Sequence, residues 1–280
     1  MNRFRARVDN ERVGGREVST VERPEAVRWG GLPAHIARRI IADAHARGVA
    51  PGEPLADESR LIEQYGVSRG TLREALRLLS FLGAITIKAG PGGGARLSHP
   101  GPAVVGSALG MVVQFRGATL RAVFEARSAL EPGIASLAAL HRTDSDLARL
   151  DRSVVALRAA EDVPGYAYAE QSGLFHNAVA DASHNEVLAT VVPALVAMTS
   201  TVRWRYPRGG RKELTGRIAV LIAAIRDRDA PGAATATATM FRWVMDDLDR
   251  NQRTALESRI LWPDVDAALD VQRHGPGASG

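Results

Sequence analysis

Residues 55–85, LADESRLIEQYGVSRGTLREALRLLSFLGAI, hold the pattern that leaves this chain the fewest folding options. Asp57 is suited to cap a short helix whose apolar residues are Leu61, Ile62 and Tyr65. Gly66 breaks that helix. Ser68 caps the next, in which Leu72, Ala75, Leu76 and Leu79 recur at helical three-and-four spacing. Two short amphipathic helices around a tight glycine-containing turn make a helix-turn-helix, whose second helix enters the major groove of DNA.

The start of that second helix has the chemistry for the task. Ser68, Arg69, Gly70, Thr71 and Arg73 place small hydroxyls and two guanidiniums in its first turns. Helix N-termini offer free N–H groups to phosphate, and arginine makes bidentate contacts to guanine O6 and N7. Arg69 and Arg73 share one face at i,i+4 spacing, while Leu72 and Leu76 turn towards a core. An arginine on a helix is often only a solvated side chain. The whole constellation, followed by a strand–glycine turn–strand pattern in AITIKAGPGGGARLS, points to DNA. The GPGGGA run at 90–95 also invites a phosphate-cradle reading. A nucleotide-binding glycine loop should precede a helix, whereas this one leads into ARLSHPGP, so a wing turn fits better.

Charge is distributed in keeping with that reading. The chain of 280 residues carries a net +5, and residues 1–100, with 16 basic and 11 acidic side chains, hold all of the excess. Such asymmetry points to nucleic acid at the N-terminal third. With no cysteine there is no disulfide framework, thiolate nucleophile or zinc knuckle, and a reducing, cytoplasmic location is expected. No apolar run approaches the ~18 residues of a membrane span, and MNRFRARVDNERVGG lacks the apolar core of a secretory signal.

The organisation expected is a flexible Arg-rich extension at 1–29, a DNA-binding unit at 30–98 opened by a helix with Ile36, Ile40 and Ala44, and a Pro/Gly linker at 99–108. From 109 to 256 only helices are legible. Their stripes are Leu120/Val123/Phe124/Leu130/Ile134, Tyr168/Ser172/Phe175/Val179, Leu188/Val191/Leu195/Val202, Leu214/Leu221/Ile222/Ile225 and Met240/Val244/Leu248. A frayed tail is expected at 257–280.

The run PGEPLADESRLIEQYGVSRGTLREALRLLSFLGAI resembles the winged helix-turn-helix of the GntR family of bacterial transcription regulators, over about residues 32–98. Glu125-Ala126-Arg127-Ser128-Ala129-Leu130-Glu131 resembles the "E.R..LE" pattern that opens the effector domain (FCD) of the FadR subfamily, and the likeness extends over most of 110–250. The resemblance implies a mainly α protein: an N-terminal winged helix-turn-helix with a small β wing, then an all-α helical-bundle effector domain. It implies a homodimeric repressor or activator that binds double-stranded DNA at a short palindromic operator. It carries DNA contacts to Ser68, Arg69, Gly70, Thr71 and Arg73, and the minor-groove wing tip to Gly90. One departure is that Glu58 is followed by Ser59, so the guanidinium the family often has there stands one place later, at Arg60.

Many FadR-type effector domains hold a divalent metal through an Asp, a His four residues later and two further His. At the matching positions stand Ser172, His176, Ile218 and Met240 (or Trp243), so one ligand of four survives and no metal or other cofactor is expected. The effector expected is then a small organic anion, a carboxylate or acyl derivative, bound by Arg127 and His176. Arg203, in Arg203-Trp204-Arg205-Tyr206, adds a cationic contact or simply ends a helix. Against this stand a structural reading, in which Glu131 satisfies Arg127 one turn away and His176 is a core residue, and two other functions. One is a metal-dependent sensor or enzyme using His176, Asp181 and Glu170. The other is a DNA-binding protein without effector. No nucleophile elbow or other catalytic spacing is present, so no catalytic residue is assigned.

Overall fold

The computed structural model describes residues 31–88, 90, 93–200 and 205–261. The expected extension at 1–29, and Arg203, lie outside the described residues.

Helix α1 (Leu32–Ala46) begins with proline in its first turn, where the missing N–H costs nothing, and buries Ile36, Ala37, Ile40 and Ala44. The Asp57 side chain accepts from Arg60 N at 2.9 Å and starts α2 (Glu58–Tyr65). Gly66, at φ 62°, ends it in the left-handed conformation that only glycine adopts cheaply. Ser68 caps α3 (Arg69–Phe81) by accepting from Thr71 N at 3.2 Å. Tyr65 Oη donates to Asp43 Oδ2 at 2.8 Å, tying α2 to α1. Burial, with that carboxylate, pushes the phenol up to about 12, so the bond persists across ordinary pH.

Strands β1 (Ile85–Lys88) and β2 (Gly94–Leu97) pair antiparallel, with Ile85 opposite Leu97 and Lys88 opposite Gly94. Ile85 and Leu97 close the core formed by α1–α3. The segment before α2 adds a third rung: Gly52 N donates to Leu97 O and Leu55 N to Ala95 O, both at 2.8 Å. Helix-turn-helix and two-stranded wing are therefore one packed unit.

The second unit is helical throughout the described residues: α4 (Pro102–Phe115), α5 (Leu120–His141), α6 (Asp144–Ala160), α7 (Ala167–Ala182), α8 (Glu186–Ser200), α9 (Gly210–Arg226), α10 (Ala230–Asn251) and α11 (Arg253–Leu256). The long helices α5 and α10 lie against each other, with α7, α8 and α9 also against α5, around Tyr168, Phe175, Leu150, Met198 and Ile218.

Several expectations change here. The segment read as a linker at 99–108 is helical from Pro102, because proline and glycine at its start act as a helix entry rather than a breaker. Leu130 is exposed, and the inward positions of α5 fall instead on Arg127 and Glu131. Helix α6 had no expected counterpart. Residues 257–261, read as the start of a frayed tail, pack on the helical domain: Leu120 N donates to Ser258 O, Ile260 N to Ala118 O, and Ile260 is buried. Val202, placed on an expected stripe, lies outside the described residues.

Candidate functional site

On α3 one face is fixed by burial: Leu72, Ala75, Leu76 and Leu79 are in the core. The opposite edge carries Ser68, Arg69, Gly70 and Arg73, all exposed, with Thr71 half-buried between them. Ser68 Oγ is occupied in the cap and lies 3.0 Å from Thr71 Oγ1, so these hydroxyls shape the helix start and remain at its surface. Arg69 and Arg73 form no ion pair among the described residues. A Cβ added at Gly70 would meet only Ser68 Oγ, at 3.8 Å, so glycine here is not a steric requirement. Arg60, on the first turn of α2, is exposed. Gly90, at φ 92°, accepts from Gly93 N at 2.9 Å in the turn between the wing strands. The described residues thus bring an arginine-bearing helix start and a glycine wing turn into one small unit, with no buried group between the two arginines and solvent.

The second candidate lies between α5, α7, α8 and α10. Arg127 Nε donates to Glu131 Oε1 at 2.6 Å and its Nη1 to Thr199 Oγ1 at 3.2 Å. His176 Nδ1 lies 2.5 Å from Glu131 Oε2. The three side chains are nearly excluded from solvent, and Arg127 also stacks on Phe124 and Phe241, with Cζ 5.7 and 5.3 Å from the ring centres. Burial opposes ionisation of Glu131, but the Arg127 charge and hydrogen bonds from both neighbours outweigh it and hold the carboxyl at about 2. Burial pushes the His176 imidazole down, offset only in part by Glu131, so at neutral pH the ring is uncharged and its Nδ1 carries the hydrogen donated to Glu131. Arg127 Nη2 has no hydrogen-bond partner among the described residues.

Glu131, His176 and Thr237, with Ile134, Phe175, Val179, Val192, Leu221 and Met240, line a narrow cavity of about 10 Å³. That is room for about one water molecule, far below the roughly 300–1,000 Å³ of ordinary small-molecule sites, so an effector could enter only if the helices part. Arg127 stands behind Glu131, outside the lining. The resulting site is electrically balanced, a guanidinium against a carboxylate, with a neutral imidazole beside them.

Two family models match the chain: the bacterial regulatory proteins of the gntR family over residues 32–94, and the FCD domain over 122–242. The chain belongs to the GntR family. Its FCD domain places it with the FadR-type members, and the two matched domains are those of a regulator rather than an enzyme. Among similar proteins, the HTH-type transcriptional regulator LutR of Bacillus subtilis is 33% identical over 138 residues, 49% of this chain and 62% of LutR, somewhat under two thirds of that relative's length. The galactonate operon transcriptional repressor of Escherichia coli is 28% identical over 195 residues, 68% of this chain and 85% of the repressor. A solved structure titled Streptococcus agalactiae GntR shares the fold, with a TM-score of 0.62 and 24% identity over 76% of this chain and 99% of that one.

The metal that many FadR-type relatives hold does not fit these residues. Ile218 and Met240 are apolar and buried, Ser172 offers a neutral hydroxyl, and Trp243 lies under the Arg217 guanidinium, 5.5 Å away. His176 commits one ring nitrogen to Glu131, and Glu131 is already neutralised by Arg127, so a divalent cation would sit against a fixed positive charge. Elemental analysis of dialysed protein is expected to find no stoichiometric zinc, manganese or nickel. Metal that survives dialysis and is lost in His176→Ala would contradict this.

The groups that an enzyme reading would need are not brought together. Asp181 is held by Arg149 at 2.9 Å, in a cluster where Asp146 also receives Arg149 and His184, and neither Asp181 nor Glu170 lines the His176 cavity. The coupling of His176 to Glu131 was not anticipated from sequence. No local signal could supply it, since the two residues are 45 positions apart on different helices.

The buried imidazole gives the fold a pH dependence. A histidine whose folded pKa lies below its ordinary 6.5 stabilises the native state fully above that value and withdraws support as pH falls below it. Glu131, depressed to about 2 from 4.5, keeps its contribution until strong acid. As pH falls below about 6.5, while Glu131 still keeps its contribution, the histidine withdraws support and the urea midpoint of the helical domain is expected to fall. His176→Gln should flatten that slope; an equal slope in the variant would contradict it.

Proposed function

We propose that the protein is a cytoplasmic transcription regulator that binds a short palindromic DNA operator as a homodimer and responds to a small organic anion in its helical domain. The observation that carries the reading is the α3 edge, where Arg69 and Arg73 stand exposed, without an ion pair among the described residues, beside the capped helix start, in a unit matched to the GntR model. Arg73 and Arg69 supply base contacts, the Ser68 and Thr71 hydroxyls and the helix start reach phosphate, Gly70 lets the backbone approach, Gly90 carries the wing into the minor groove, and Arg60 adds a backbone contact. One such module covers too few base pairs to select a site in a genome, so two copies related by a two-fold axis are needed.

The effector reading rests on His176, Glu131 and Thr237 lining a cavity, and on the unsatisfied Arg127 Nη2 behind it. An anion entering there competes with Glu131 for Arg127 and draws a proton onto His176, because a second negative charge favours the imidazolium. Binding then widens the cavity and changes how α5 sits against α7, α8 and α10, which is the differential contact a switch requires. One similar protein is named as a repressor of a galactonate operon, and galactonate is a sugar-acid anion. The three polar groups at this otherwise apolar cavity, Glu131, His176 and Thr237, favour an effector over a DNA-binding protein without one. Arg203 keeps its proposed cationic role.

Selection from a random-sequence duplex library tests the reading. The enriched sequences should contain two half-sites in inverted repeat, with light scattering showing two protein copies per duplex. Enrichment of a single asymmetric site by a monomer would contradict it.

A further inference from the structure

A short turn, Arg116 to Thr119, is all that separates α4 from α5. Gly117, at φ 67°, reverses the chain there in the left-handed conformation, and a glycine turn of that length has little stiffness of its own. Support comes from residues 257–261. Leu120 N donates to Ser258 O at 3.0 Å and Ile260 N to Ala118 O at 2.9 Å, on either side of an antiparallel bridge between Thr119 and Arg259. Leu256 and Ile260 are buried in the core of the helical domain. Arg121, on the first turn of α5, donates from Nε to Glu257 Oε1 at 2.7 Å and from both terminal nitrogens to Asp249 on α10. What lies at each end of this arrangement gives it meaning. On one side the segment follows α10 through α11, and α10 lines the His176 cavity with Thr237 and Met240. On the other, a Cβ at Gly83 would touch Pro100 and Val104, so the turn after α3 runs close against the head of α4.

We infer that residues 257–261 are a strap that sets the angle between α4 and α5, and so couples α10 and its cavity to the placement of the DNA-binding unit. The inference rests on the homodimer and palindromic operator of the proposed function. The strap is built to release. Two backbone hydrogen bonds, one buried isoleucine and a partly exposed arginine network hold it, so it opens at far lower cost than the domain unfolds. With the strap seated, the joint has one angle and the two α3 helices of a dimer keep one separation. With it released, the joint bends at Gly117 and that separation varies. Movement of α10 reaches the joint through Asp249 and Glu257, both held by the same guanidinium.

Affinity for duplexes of altered half-site spacing tests this on the full chain, with the selected operator beside a version carrying two base pairs inserted between the half-sites. That insertion rotates one half-site against the other by about a fifth of a turn. The wild type should bind the insertion at least about ten-fold more weakly than the operator. Ile260→Ser, which releases the strap, should bind the two within about three-fold of each other. A disulfide supplies the control, since the chain has no cysteine of its own. Thr119 and Arg259 are a non-hydrogen-bonded pair, a geometry that brings Cα atoms to about 4.5 Å, within disulfide reach, and the Thr119 side chain makes no helix cap. In the triple variant Ile260→Ser/Thr119→Cys/Arg259→Cys, oxidation should restore the spacing preference and reduction should abolish it, which a misfolded protein cannot do. Ile260→Ser with the wild-type preference, or a triple variant indifferent to its redox state, overturns the strap and leaves the dimer on its palindrome standing. A wild type that selects no inverted repeat, or binds both spacings alike, overturns both.

Discussion

Glu131→Ala is expected to lower the unfolding free energy of the helical domain by about 3–5 kcal/mol, a large share of the ~5–15 kcal/mol that holds an ordinary domain together. The carboxylate accepts from Arg127 Nε and His176 Nδ1, and all three groups are nearly excluded from water. Truncation leaves a guanidinium buried with Thr199 as its remaining hydrogen-bond partner among the described residues, and an imidazole N–H with no acceptor in place of the carboxylate. The cost is that of an orphaned charge rather than the worth of the pair. The double variant Arg127→Met/Glu131→Leu should accordingly recover most of the loss, since apolar replacement of a buried ion pair is often neutral. Urea denaturation followed by circular dichroism reads both. A loss below about 1 kcal/mol in Glu131→Ala would mean that water reaches the pair, and that the cavity is wider in solution than its lining implies.

The second large effect belongs to DNA. Arg69→Ala and Arg73→Ala together should reduce affinity for the selected duplex by roughly 2–6 kcal/mol, because each bidentate arginine–guanine contact contributes about 1–3 kcal/mol. Stability should be unaffected, since both side chains are exposed and make no ion pair among the described residues. Binding to random duplex should fall far less, as that depends on phosphate charge rather than on base edges. An equal loss on both kinds of DNA would reassign the two arginines to the backbone.

Sequence reached furthest where the determinants are local. Asp57, Gly66 and Ser68 each act within four residues, as caps or as a left-handed stop, so both short helices and their turn could be read without knowledge of the rest of the chain. The wing was legible because glycines interrupt an alternating pattern. In the helical domain, periodicity alone misplaced Leu130 in the core, since the inward face of α5 is shared with a buried ion pair that no hydropathy pattern marks. Helix α6 was missed although Thr143 and Asp146 form a capping box at its start, a signal three residues long ahead of Leu150 and Leu157. Pro102 and the glycines around it look like breakers and suggest a linker where α4 lies, whereas proline in a first turn favours the helix. The Arg127–Glu131 pair was visible as an i,i+4 relation. Its extension to His176 depends on how α7 packs against α5, which only the fold supplies.

Whether α3 reads DNA sequence is tested most directly by a fluorescence-anisotropy titration at fixed salt on the duplex recovered by selection, wild type beside Arg69→Ala/Arg73→Ala. The wild type should bind tightly, the variant should lose roughly 30-fold or more, and the variant should show little preference for the selected duplex over a scrambled one. Equal affinity of the two proteins for the selected duplex, with the preference over scrambled DNA intact, would contradict it.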